Sequence, residues 1–363
     1  MNGKFNLFNK GTVNIVSIIV FLIFFFTGLN ICAQGWLYTD SNKIHKEDGT
    51  VFTGRGVNIF DTRSCNAATA FSPNVEEVKR RIDEVVDIWG ADYLRLCLES
   101  YESLQSWQVH GLSVLEDTAY LNDIVEIVEY IGTKDSVYVL VSVWNDPSLS
   151  DMGWPTAETI ETWRVLTPNL AQYPYVLFGV CNEPQSNSSG ALDGDCWEAM
   201  NNTVAAIREE EVNASAPQQH IITVQGTRNW ARYLGYYVDH PITAGGGTNI
   251  AYETHCYDHQ DQFEERFINP SQHIPVVIGE FGPAVIGEVL YMTLEECQLM
   301  MDEAEDLQIP YTAWSFHQRC PPALLVDSTG SGPGFGMPIV PTEWGELLMD
   351  QLLAKDSPRI RNF

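Results

Sequence analysis

Two glutamates draw notice because each closes an apolar run. Tyr175-Val-Leu-Phe-Gly-Val-Cys181 leads into Asn182-Glu183-Pro184, and Pro275-Val-Val-Ile-Gly279 leads into Glu280-Phe281-Gly282-Pro283. Proline shortly after each glutamate stops the run, so the carboxylates fall where strands end and loops begin. Two carboxylates held about 5–5.5 Å apart are what retaining glycoside hydrolysis requires, one as nucleophile and one as acid and then base. A chain with 48 Asp and Glu places acids at strand ends by coincidence, so neither glutamate is decisive alone. The pair is stronger, because Asn182 adjoins Glu183 and can hold the sugar 2-hydroxyl, a contact that tightens in an oxocarbenium-like transition state.

The elements that would carry these groups recur as strand then helix. Strand-like runs cover Thr53–Phe60, Asp92–Leu98, Val137–Trp144, Tyr175–Cys181, His220–Gln225, Asn249–His255, Pro275–Glu280 and Pro310–Phe316. Many are nearly continuous in Val, Ile, Leu and Tyr, as in parallel strands covered on both faces. Helical patterns fill the intervals: Asn74–Trp89, Asp117–Ile131, Ala157–Leu170, Cys196–Glu210, a start at Thr293, and Thr342–Leu353. Asn74 with Glu77 and Thr293 with Glu296 have capping-box spacing, and Gly90 is a natural stop. Eight such units predict an α/β fold, a single-domain (β/α)8 barrel, in which catalytic groups sit at the C-terminal ends of strands. Strands four and seven, on opposed sides, would then aim Glu183 and Glu280 into one cleft. Trp36–Thr50, with a turn at Asp48-Gly49, reads as a hairpin closing the barrel floor.

Composition narrows the ligand. The 363 residues carry 20 Lys+Arg against 48 Asp+Glu, a net charge of −28. Such a chain repels phosphates, so no nucleic-acid partner is expected. A neutral oligosaccharide or polysaccharide suits it better, and uronate polymers should be disfavoured. Lys4 and Lys10 precede an apolar run from Ile15 to Phe26 that suits an export signal. The expected division is a signal over residues 1–33, cleaved after Ala33, and a catalytic domain over residues 34–363. Secretion is the expectation, with a lipoprotein at Cys32 or an uncleaved anchor as alternatives. Export permits disulfides, but the cysteines left after Cys32 are odd in number, so at least one must be free. A monomer is expected.

The chain resembles glycoside hydrolase family 5, the cellulase-type barrels of clan A. The resemblance rests on Arg95 in Tyr93-Leu-Arg-Leu, Asn182-Glu183-Pro184, His255-Cys256-Tyr257, Glu280 in Ile278-Gly-Glu-Phe-Gly, and Trp314, in order on strands two, four, six, seven and eight. It implies that Glu183 is the acid/base and Glu280 the nucleophile. It also implies that Arg95 keeps Glu280 ionised, that Tyr257 donates to Glu280, and that His255 lies beside the reacting sugar. Trp314 would form the floor beneath that sugar. The family typically has a histidine near the end of strand three. Here Trp144 and Asn145 stand there, and both are read as substrate-facing.

Other features are less specific. Trp154 and Trp230 could line a groove or pack in their loops. Gly330–Gly336 lacks the Gly-Lys-Ser/Thr ending of a phosphate loop. His255, Asp258 and His259 could suggest a metal site, but strand one ends Val57-Asn-Ile-Phe60 without a His-x-His pair, so neither metal nor cofactor is expected. The reading is a secreted retaining β-glycanase acting on a neutral, β-1,4-linked polysaccharide such as cellulose. A mannan-specific relative and a non-catalytic carbohydrate-binding barrel are the alternatives.

Overall fold

The computed structural model describes residues 34–64, 74–100, 113–286, 289–327, 336 and 338–354. The expected export signal, Cys65 and nearly all of the Gly330–Gly336 loop lie outside them. Eight parallel strands close a barrel: β3 (Arg55–Phe60), β4 (Tyr93–Leu98), β5 (Tyr138–Val143), β6 (Val176–Gly179), β7 (Ile222–Gln225), β8 (Ile250–His255), β9 (Val276–Glu280) and β12 (Tyr311–Ala313), which pairs back onto β3. These are the eight strands read from the sequence, each trimmed by a residue or more. Their residues are buried along their whole length, because helices cover the outside and side chains fill the inside.

The helices follow their sequence signals. α1 (Val75–Asp83) is capped by Asn74, whose side chain accepts from Glu77 N at 3.0 Å. The box stays half made, since the Glu77 carboxylate turns to Arg80 and Arg81 instead. α2 (Thr118–Ile131) is capped by Asp117, and α3 (Ala157–Leu170) by a reciprocal Thr156–Thr159 pair. α4 spans Asp193–Asn213, three residues longer than expected at each end. Its first residue is a buried aspartate held by Asn187, Thr227 and Arg228, a tertiary cluster without a local signature. α5 (Gly235–Asp239) is short. β10 (Ala284–Ile286) and β11 (Val289–Met292) form a hairpin after β9, then α6 (Leu294–Asp306) starts with the expected Thr293–Glu296 capping box. α7 (Glu343–Leu353) closes the ring.

The N-terminal hairpin exists, but its turn is elsewhere. β1 (Leu37–Asp40) pairs with β2 (Lys43–Lys46) through Ser41-Asn42, with Ser41 at φ 56. Asp48-Gly49 instead turns the chain after β2, Gly49 N donating to Lys46 O. Lys43 Nζ bonds Leu307 O, Asn42 bonds Ser271 O and Asn249 accepts from Thr39 N. All three partners lie on segments leading into barrel strands, so the hairpin covers the floor, opposite the strand ends that carry the glutamates.

Candidate active site

Polar residues enter the barrel at two-residue spacing on otherwise apolar strands. Arg95 and Cys97 on β4, Thr223 and Gln225 on β7, and Glu253 and His255 on β8 are all fully buried. A strand alternates its faces, so each such pair points the same way, into the barrel. Arg95 is the hub. Its Nη1 donates to Glu280 Oε1 at 2.8 Å and Asn58 Oδ1 at 2.8 Å, and its Nη2 to Asn182 Oδ1 at 2.8 Å and Ser142 Oγ at 2.9 Å. Its Nε lies 2.9 Å from Glu253 Oε1.

Glu280 is aimed by an irregularity. The β8–β9 register slips so that Thr254 faces Ile278 while His255 faces Glu280, leaving Gly279 as the extra residue. Such a bulge bends a strand and redirects the next side chain. Only glycine fits here, because a Cβ on Gly279 would stand 2.1 Å from Glu253 Oε1. Asn58 and Thr312 hold the Gly279 carbonyl at 2.9 and 2.6 Å. Glu280 Oε2 accepts from Tyr257 OH at 3.0 Å.

Glu183 stands beyond its strand rather than at its end. β6 stops at Gly179, and Glu183 adopts φ 52, a left-handed conformation that is costly for a side-chain-bearing residue. Gln225 Oε1 accepts from Glu183 N at 2.5 Å. His255 Nδ1 lies 3.0 Å from Glu183 Oε1 and 3.5 Å from Glu280 Oε2, and its Nε2 lies 3.1 Å from Glu253 Oε1. One oxygen each from Glu183 and Glu280 and one nitrogen of His255 lie within 4.8 Å of one another.

Charge balance explains the electrostatics. Burial would raise the Glu253 carboxyl, but Arg95 and then His255 and Thr223 outweigh it and hold it at about 2. Burial would lower His255, but Glu280, Glu183 and Glu253 raise it to about 9. Burial raises Glu280 to about 7, with the Glu183 charge adding to the rise against His255, Arg95 and Tyr257. Arg95 therefore pairs with Glu280 as expected but does not hold it low. Its cation is shared with Glu253, and the Glu280 carboxyl has lost its water. Two cations, Arg95 and His255, balance Glu253 and Glu280 only while the Glu183–Glu280 pair keeps one proton.

The rise of His255 favours the imidazolium, in which both ring nitrogens donate to the surrounding carboxylates. Asp258 and His259 do not join this network. Asp258 binds Arg232 and Arg266, and His259 binds Glu296.

Above this network lies a cleft of about 730 Å³, lined by Trp144, Asn182, Glu183, Trp230, Tyr257, Glu280 and Trp314 among others. Trp314 stacks on Trp144 with centroids 5.9 Å apart at 18°. Trp230, 48% exposed, is carried by a run of left-handed residues, Asn229 to Ala231. Its N donates to Pro184 O at 2.8 Å, which puts Trp230 on the Glu183 side. Asn145 is not brought to the cleft. Its Nδ2 donates to Gly153 O at 2.7 Å and its Oδ1 accepts from Thr159 at 2.9 Å, so both ends of its amide are engaged, one by the loop after β5 and one by the first turn of α3. Trp154 packs against the core. The expected residues that converge are thus Arg95, Trp144, Asn182, Glu183, Trp230, His255, Tyr257, Glu280 and Trp314. Sequence reasoning missed Asn58, Ser142, Gln225, Glu253 and the cleft wall formed by Arg232, Val285 and Tyr291. The two-residue polar spacing on β7 and β8 was the available signal for Gln225 and Glu253. Cys97, Cys181, Cys196, Cys256 and Cys297 are buried free thiols.

The fold has many known counterparts. A β-glucanase from Saccharophagus degradans, solved with cellotetraose, matches with TM-score 0.65 at 20% identity over 88% of this chain and 93% of its own. The catalytic domain of a Thermobifida fusca endoglucanase gives 0.67 at 17% over 88% and 98%. A mannanase catalytic domain from Streptomyces sp. SirexAA-E gives 0.59 at 18% over 89% and 92%. No curated protein matches the sequence. The family model for cellulase (glycosyl hydrolase family 5) matches residues 47–319, most of the chain, which makes this barrel a glycoside hydrolase belonging to that family.

Proposed function

We propose that the protein is a secreted, retaining β-glycanase acting on a neutral β-1,4-linked glucan, with Glu280 as nucleophile and Glu183 as acid/base. The observation that carries the reading is the approach of Glu183 and Glu280 oxygens to within 4.8 Å at the base of an aromatic-lined cleft. That spacing belongs with the short separation of retaining enzymes, which leaves no room for a water beneath the sugar. Glu280 has both oxygens held by donors, Arg95 and Tyr257, which orient it for attack and offset part of the burial that raises it. Among the described residues His255 reaches Glu183 Oε1 and no donor reaches Oε2, which leaves that oxygen open to a substrate's leaving-group oxygen.

In the first step Glu280 attacks the anomeric carbon while Glu183 protonates the departing glycosidic oxygen. In the second, Glu183 takes a proton from the water that releases the sugar from Glu280. Asn182, oriented by Arg95, is placed to hold the 2-hydroxyl, and Trp314 offers a flat apolar face to the sugar. Trp230, on the proton-donor side, serves the leaving-group end of the chain. The apolar run of residues 15–26 behind Lys4 and Lys10 supports export.

The test is a panel of barley β-glucan, hydroxyethylcellulose, glucomannan and mannan, with Glu280→Gln beside the parent. Glucan should be hydrolysed, and the variant should lose several orders of magnitude with its circular dichroism unchanged. Proton NMR should show the β anomer first. An initial α product would overturn the mechanism, and exclusive action on mannan would overturn the substrate.

A further inference from the structure

The short segment Glu183–Gln185 is gripped from two sides. On one side Trp230 N and Ala231 N both donate to Pro184 O, at 2.8 and 3.4 Å. On the other stands the loop after β5. Met152 O accepts from Gln185 N at 2.9 Å. Gly153, at φ 66, presses so closely that a Cβ there would lie 2.7 Å from Glu183 O. Asn145 fixes that glycine through its 2.7 Å bond to Gly153 O, and is itself fixed by Thr159, the third residue of α3. A rigid chain of contacts therefore runs from the N-terminus of α3 through Asn145 and Gly153 to the backbone of Glu183.

Glu183 needs such support. Its left-handed backbone is not self-sustaining, its carboxylate is about a quarter exposed, and among the described residues its side chain accepts only from His255. Proton delivery depends on direction, and a misplacement of about 1 Å can cost roughly 100-fold.

We propose that Asn145 and Gly153 are positioning residues that set the aim of Glu183 at the leaving-group oxygen. The inference rests on reading Glu183 as the acid/base. Loss of either residue should damage proton donation while sparing nucleophilic attack by Glu280, which is fixed separately by Arg95, Tyr257 and the Gly279 bulge.

The experiment measures kcat/KM of Asn145→Ala, Asn145→Asp and Gly153→Ala on phenyl and 2,4-dinitrophenyl β-cellobiosides, with Glu183→Ala in parallel. Phenol needs a proton to depart and dinitrophenol does not. Each positioning variant should fall roughly 10- to 100-fold on the phenyl glycoside and less than about threefold on the dinitrophenyl one. Asn145→Asp keeps the acceptor for Thr159 but loses the donor to Gly153, so it should behave as Asn145→Ala does. Should one variant fail to fold, the other two give the same readout, which a merely structural defect would not split by leaving group. Equal losses on both glycosides, or none, would overturn the proposal. If Glu183→Ala itself shows no leaving-group dependence, it is the acid/base assignment that fails instead.

Discussion

Replacing Tyr257 with Phe tests where the proton of the carboxylate pair resides. Tyr257 OH donates to Glu280 Oε2 at 3.0 Å inside a buried site. A hydrogen bond to a charged group contributes about 1.5–3 kcal/mol, and 1.36 kcal/mol corresponds to one pH unit. Removing it should therefore move the ionisation of Glu280 upward by about 1–2 units, the lower figure applying if cleft water takes the place of the hydroxyl. Which limb of the kcat/KM profile moves depends on the order of ionisation. If Glu280 ionises first, its loss of a donor raises the acidic limb, because the doubly protonated pair persists to higher pH. The basic limb, set by loss of the pair's second proton, stays put, since Glu280 is an anion on both sides of that step. The bell should narrow from its acidic side. The assay is kcat/KM against pH on a soluble neutral glucan, whose own charge does not change. A basic limb that moved upward while the acidic limb stood still would place the retained proton on Glu280 and refute the allotment of roles.

Two further outcomes follow from the same geometry. Trp144, stacked on Trp314 in the cleft, should influence which sugar fits, so Trp144→Ala should alter the ratio of glucan to mannan hydrolysis; a folded variant that lost both in equal proportion would mark Trp144 as structural. Stability should peak between about pH 4.5 and 6.5 in thermal melts, because Glu253 (ordinarily 4.5, held at about 2) contributes fully above 4.5 and His255 (ordinarily 6.5, held at about 9) fully below 6.5, each by about 3 kcal/mol, while Glu280 opposes folding as pH rises towards 7. Maximal stability above about pH 8 would contradict the charged network.

The strand count, the closed barrel and the strand-end Asn182, Glu183 and Glu280 were legible because they depend on local patterns, whereas Arg95, His255, Tyr257 and Trp314 were picked out by the family resemblance. Apolar runs reveal strands, and prolines and caps mark where they end. Glu253 was not legible in the same way. An acid in the middle of Tyr252-Glu-Thr254 looks like a solvent-facing strand residue until the barrel closes and brings Arg95 to it. Asn145 failed in the opposite direction. Its position beside Trp144 suggested the cleft, yet an amide with one donor end and one acceptor end was satisfied by Gly153 and Thr159, eight and fourteen residues along the chain. Sequence position locates a residue near a site, whereas the partners available to its polar atoms decide which way it faces.

The same distinction accounts for the backbone. Glu183 at φ 52, the left-handed run around Trp230 and the bulge at Gly279 all depart from regular geometry, and all three border the cleft. A barrel of ideal strands would leave side chains radiating at fixed angles from the strand ends. Bringing Glu183 and Glu280 to a common point requires each to leave its strand's natural direction, one by an extra glycine and one by a loop residue held in a conformation it would not choose. The costs, of order 1–3 kcal/mol for a left-handed residue, are met by contacts from other strands and loops: Gln225 and Gly153 at Glu183, Pro184 at Trp230, Asn58 and Thr312 at Gly279. These contacts join segments tens to hundreds of residues apart, which is why no local pattern announces them. They also explain why the Gly279 bulge and the Gly153 approach tolerate no side chain. At both positions it is the absence of a Cβ that lets the chain beside Glu280 or Glu183 approach its neighbours so closely.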